Sequence, residues 1–180
     1  MPDAITQAIP SWHDFYMLSG TASATLMGLL FVSVSLKLDL LGSGLQVALM
    51  SRAGQAFSNL LYVLFISFVF LIPHIDGSSL GLSMCGIGAT GMLRMAKLGW
   101  DAIRSKEKLD AGTVIWRFAL PVLAHAALVA AGVMLVLGTG DGLYWVLAVI
   151  MLLLSGAARS AWDLLVRIEA RSSPAATVDN

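Results

Sequence analysis

Five stretches of the chain run almost free of charge for the length a membrane-crossing helix needs, about 20 residues for a hydrocarbon core about 30 Å thick. They fall at about 15–36, 53–72, 80–99, 114–137 and 143–162. Helix-breaking residues separate them. Gly42-Ser43-Gly44 opens the first connection, Pro73 with Asp76-Gly77-Ser78-Ser79 closes the second stretch, and Thr139-Gly140-Asp141-Gly142 turns the chain between the last two. This pattern predicts an all-α protein, a polytopic bundle of five transmembrane helices. One helical domain is expected over 1–170 and a small, polar, flexible tail over 171–180. No internal repeat is visible, and five spans do not divide into two equal inverted halves, so a transporter of that kind is not expected. Met1 to Pro10 has no basic residue and no cleavage pattern, and so does not read as a signal peptide.

Composition agrees. Hydrophobic residues make up 58% of the 180 and charged residues only 12%, with a mean hydropathy of +0.83. A soluble domain carries roughly 25% charged residues, so this chain has about half the usual supply for a wet surface. The 11 basic and 11 acidic residues cancel, leaving no net field to recruit nucleic acid. Cys85 is the one cysteine, which excludes a disulfide within the chain and a multi-cysteine zinc site.

Charge placement predicts the orientation. If the spans alternate in direction, all 11 basic residues fall on one side, from Lys37 and Arg52 through Arg94–Arg117 to Arg159, Arg167 and Arg171. The other side holds Asp3, Asp14, Asp76 and Asp141 with His13 and His74. The positive-inside bias then puts the N-terminus outside and the C-terminus in the cytoplasm. Trp12, Tyr16, Tyr144 and Trp145 mark the outer interface, and Trp100, Trp116 and Trp162 the inner one.

Within the spans, polar and small residues recur at helical spacing. Thr21, Thr25, Gly28, Val32, Ser35 and Asp39 form one narrow stripe on the first, with Asp14 near the same face at the outer mouth. Such a stripe either lets helices pack closely or lines a wet path for cations. The second span opens on Gln55, Ser58, Asn59 and Tyr62, which should face another helix or water. The third carries Arg94, Lys97, Asp101, Arg104 and Lys108 as a charged stripe, read as side chains snorkelling to inner headgroups or touching lipid phosphate. It also holds Gly86, Gly88 and Gly91, a GxGxxG string that inside an apolar span reads as helix packing rather than a nucleotide loop. His125, mid-span and one turn beyond a kink expected at Pro121, is read as a neutral imidazole bonded to a neighbouring helix. At the outer surface His13, Asp14, His74 and Asp76, with Asp141, are candidate metal ligands that helix caps explain equally. There is no HExxH pair, nucleophile elbow or P-loop, so no enzyme and no cofactor are expected.

The stretch Ser11-Trp12-His13-Asp14-Phe15-Tyr16, followed by Gly20, Ala22, Ala24, Leu26 and Gly28-Leu29-Leu30-Phe31-Val32, resembles the opening of a bacterial family. Its members are small multi-span membrane proteins, some labelled modulators of the FtsH membrane protease. The resemblance covers the first span and implies a bacterial inner-membrane location. Leu71, Pro73, Ile75 and Asp76, with the Ser11-Trp12 opening, are similar to features of the Orai calcium channels. The Orai filter glutamate would fall near Ser35 and the first span runs the opposite way, so nothing is carried over. The expected function is a homo-oligomeric channel or permeation pathway lined by the first helix. The alternatives are a non-catalytic accessory subunit of another membrane complex and a metal- or haem-binding membrane protein. The expected partners are the lipid bilayer, further copies of the chain and, on the accessory reading, another membrane protein.

Overall fold

The computed structural model describes residues 9–38, 43–104 and 118–172. A 3-10 turn, Ile9–Trp12, leads into five α-helices: α1 (His13–Leu38), α2 (Ser43–Phe70), α3 (Gly77–Arg104), α4 (Leu120–Val136) and α5 (Gly142–Ser172). Among the described residues there is no strand. The helices follow the five apolar stretches, but α2 begins at Ser43, well before the expected 53, so Ser43-Gly44 opens a helix rather than a connection. α3 and α5 run on to Arg104 and Ser172, past the expected ends at 99 and 162. The start of the fourth stretch, 114–117, lies outside the described residues, as do Asp39, Lys108 and the segment 173–180.

Local chemistry sets the helix ends. At the start of α3 the Asp76 carboxylate accepts a hydrogen bond from the Ser79 N–H at 3.0 Å, an N-cap. The preceding turn needs a left-handed residue, and His74 supplies it at φ 57°. α4 ends where Gly138 takes φ 82°, so that its N–H reaches the Leu135 carbonyl and the Thr139 N–H reaches that of Met134. These paired bonds satisfy carbonyls that the helix end would leave bare. At the other end of α4, the departure from α geometry expected at Pro121 is a wider π turn at Phe118–Ala119, and regular helix begins at Leu120.

The helices pack in the order α1, α2, α5, α4, α3, with a lighter α2–α3 contact that closes the last four into a ring. α1 lies outside that ring, against α2. Tyr16 stacks on Phe70 at 3.6 Å and Trp12 meets Tyr144 edge-on at 5.3 Å, joining the starts of α1 and α5 to the end of α2. Ile66, Leu80, Met84, Leu128, Leu135, Val146 and Ile150 fill the core.

The distribution of polarity is inverted relative to a soluble bundle. Ser19, Ser23, Asn59, Ser67 and His125 are buried, while Leu18, Phe31, Leu82 and Leu93 are each about 70% exposed. Such an outside is what hydrocarbon requires. Residues 9–35, Ala53–Phe70 and Gly142–Trp162 are long and apolar enough to cross a membrane. On the described residues α3 and α4 do not reach that measure: α3 carries Arg94, Lys97 and several glycines and serines, and only 17 residues of α4 are described.

Candidate functional site

The closest helix approach builds the site. α3 and α4 meet through glycines, because only a missing side chain lets two backbones come this near. A Cβ at Gly81 would lie 2.5 Å from the Gly132 carbonyl oxygen, and one at Gly132 would lie 2.6 Å from that of Gly81. One at Gly88 would lie 2.7 Å from Val129 Cγ2 and 3.0 Å from the His125 carbonyl oxygen. At Gly91 a Cβ would overlap the His125 ring itself. Gly86, the first glycine of the expected packing string, faces open space, and Gly81 packs in its place. A heptad separates Gly81 from Gly88, so the packed glycines follow the helical face rather than the string.

His125 therefore sits in a slot between α3 and α2. It is fully buried, with the edge of its ring against the Gly91 backbone and Tyr62 of α2 packed edge-on at 4.6 Å. Its Nδ1 lies 2.6 Å from the carbonyl oxygen of Pro121, one turn back on its own helix. That corrects the expected bond to a neighbouring helix: α3 meets the ring with the backbone of a glycine, and Pro121 supplies the nearer acceptor. Nε2 is buried without a hydrogen-bond partner.

Arg94, the start of the charged stripe, is half-buried, and its Nη1 is buried without a hydrogen-bond partner. Lys97, Asp101 and Arg104 do stand exposed on the same helix, with the Arg104 guanidinium 5.8 Å from the centre of the Trp100 ring. On α2, Asn59 is 3% exposed, one turn from Tyr62, and its Oδ1 is also unpartnered. Gln55 is half-buried, and the Ser58 hydroxyl bonds the Gly54 carbonyl of its own helix. The structure thus brings Tyr62, Gly91 and His125 together at one point. From the sequence they are three separate features on three spans.

The α1 stripe lies elsewhere. α1 packs on α2 through Tyr16, Ser19, Gly20 and Ser23; the Ser23 hydroxyl bonds the Leu60 carbonyl, and a Cβ at Gly20 would lie 3.0 Å from Ser67 Cβ. Thr21, Thr25, Gly28, Val32 and Ser35 are exposed beside that face, so they make no close packing within the chain. The Thr21 and Thr25 hydroxyls bond the carbonyls of Met17 and Thr21 on their own helix. The packing face was legible as Gly20 and Ser23 at helical spacing, but the hydroxyls of the neighbouring stripe drew the attention.

His13, Asp14, His74 and Asp76 are all exposed, and Asp76 caps α3. The hydrogen bond from the Ser79 backbone, with a second from its side chain, holds the Asp76 carboxyl below its ordinary range. Among the described residues no three His, Cys, Asp or Glu side chains gather to hold a metal ion. Comparison with models of protein families, with curated proteins and with solved structures finds no match to this chain.

Proposed function

We propose that the chain is a five-span protein of a bacterial inner membrane, N-terminus outside and C-terminus cytoplasmic, that assembles as a homo-oligomer around α1 to form a permeation pathway for cations. One observation carries the pathway reading: α1 packs on its own chain through a single face and leaves Thr21, Thr25, Gly28, Val32 and Ser35 turned outward. Small side chains on such a face leave width for a partly hydrated ion. The location draws on the resemblance of residues 11–32 to the bacterial family, and the orientation on the one-sided placement of the basic residues.

Cysteines placed along the stripe test the pathway. In an assembled protein of measurable conductance, those at Thr21, Thr25 and Ser35 should react with a water-soluble thiol reagent, and Gly28→Leu should block flux without dissociating the assembly. Uniform protection and no conductance would remove this reading. A reporter fused after Asn180 should signal from the cytoplasm and one in the turn at 71–76, before α3, from outside; the reverse would overturn the orientation.

A second reading has its own support. The Thr21 and Thr25 hydroxyls are satisfied by their own helix, so the stripe needs no water and suits contact with another protein. On that reading the protein is a non-catalytic accessory subunit, Gly28→Leu breaks the assembly, and a stable membrane partner co-purifies at native expression. The metal- or haem-binding alternative draws no support from the side chains gathered here.

A further inference from the structure

We propose that the face of α3 turned away from α4 seats one anionic phospholipid, its phosphate between Lys97 and Arg104 and an acyl chain in a notch at Gly86. The inference rests on the reading of α3 as a membrane-spanning helix, which the reporter fusions test separately, and not on what the α1 stripe does.

Helical spacing defines the face. At about 100° per residue, Gly81, Gly88 and Gly91 point at α4, while Leu82, Gly86, Ala89 and Leu93 fall on the far side, exposed. Leu82 and Leu93 are 70% and 71% exposed. Between them Gly86 has no side chain, and nothing lies within 4 Å of where its Cβ would stand. Two leucine walls and a glycine floor make a notch that an acyl chain can fill by van der Waals contact.

The same face continues into charge. Lys97, Trp100 and Arg104 follow at spacings of three and four, all exposed. The Arg104 guanidinium turns back to lie 5.8 Å from the centre of the Trp100 ring, which brings the two cations onto one stretch of the helix. Among the described residues neither cation forms an ion pair, and Asp101 beside them offsets at most one charge. Trp100, 61% exposed, is the kind of residue that sits at headgroup level.

Distance joins the two ends. From Gly86 to Lys97 the helix rises about 16 Å, close to the ~15 Å of hydrocarbon in one leaflet. A lipid whose phosphate meets Lys97 and Arg104 therefore lays its chain past Leu93 to Gly86. Soluble phosphate would meet the cations and leave the notch empty. A zwitterionic lipid would fill the notch but bring its own cation to a positive patch. An anionic phospholipid satisfies both ends.

The test offers the full chain, in uncharged detergent, equal amounts of phosphatidylglycerol and phosphatidylcholine, and reads retention by native mass spectrometry. Preferential retention of phosphatidylglycerol is expected. Lys97→Gln and Arg104→Gln should each weaken it about fivefold, the effect of one basic residue at an anionic headgroup. Gly86→Leu should weaken it as well, because the new side chain fills the notch. These three positions are exposed, so the substitutions leave the core intact. Lys37→Gln, which removes a charge near the end of α1, should change retention by less than about twofold. Equal retention of the two lipids would overturn the proposal. So would a loss in Lys37→Gln as large as in Lys97→Gln, since that indicates general attraction to headgroups. Unchanged retention in Gly86→Leu would also overturn it: the site would be one for an anion alone or, if that variant loses an assembly, the face would be a contact between helices.

Discussion

α1 and α3 are both long helices dotted with glycine, serine and threonine, yet they use these small residues in different ways. On α3 the small face is closed within the chain: Gly81, Gly88 and Gly91 meet α4 so closely that a methyl group at any of them collides. On α1 one small face, Gly20 and Ser23, is closed against α2, while the neighbouring face through Gly28 opens on nothing. Close packing in hydrocarbon gains from van der Waals contact and a few hydrogen bonds rather than from expulsion of water. A small stripe therefore stabilises only where an opposing surface complements it. α4 offers α3 its own glycine, Gly132; among the described residues nothing offers α1 an equivalent for Gly28.

The sharpest way to break this contrast is a large side chain at the α3–α4 contact. Gly132→Leu should abolish folded protein, because the added bulk meets the Gly81 carbonyl and Cys85 rather than a movable tip; recovery of folded protein by size exclusion checks it. Next in size, Gly91→Ala should destabilise by about 1–3 kcal/mol, since its methyl group overlaps a ring boxed in by Tyr62. Adding His125→Ala should restore part of that loss in a double-mutant cycle of denaturant unfolding; purely additive losses would mean the ring is not the obstacle.

On the open side the effects shrink. Ser23→Ala should cost about 0.6 kcal/mol, the average for a hydrogen bond between membrane helices. Gly28→Leu should change the unfolding of the single chain by about 0.5 kcal/mol or less, since the added side chain meets open space; a large loss in monomeric protein would show that α1 packs differently. The smallest effect belongs to Asp76. Its carboxyl is held below the ordinary range by the Ser79 hydrogen bonds, so its contribution is fully present above the usual carboxylate pKa. That contribution fades as pH falls through the lowered value. Asp76→Ala should therefore lower the melting temperature slightly at neutral pH and leave it unchanged in strong acid, as a pH series of thermal melts would show.

Hydropathy and the turn residues predicted the helices and their class, because each helix satisfies its own backbone and an apolar run needs no partner to be recognised. The break before α3, capped by Asp76, and the Thr139-Gly140-Asp141-Gly142 turn lie where the sequence puts them, since capping and left-handed residues act over a few residues. Partners were another matter. Nothing local distinguishes Gly81 from Gly86, or the Gly20 face of α1 from the Gly28 face, because the choice depends on which helix lies opposite. Nor does the spacing of Arg94 within a charged stripe tell that its Nη1 is buried while Lys97 and Arg104 stand exposed. The sequence alone determined a set of apolar helices with polar residues spaced along them. Only the tertiary structure decided that Tyr62, Gly91 and His125 meet, because that requires α2, α3 and α4 to come together. The closeness of α3 to α4 is set by Gly81 against Gly132, Gly88 against Val129 and Gly91 against His125, pairs far apart in sequence.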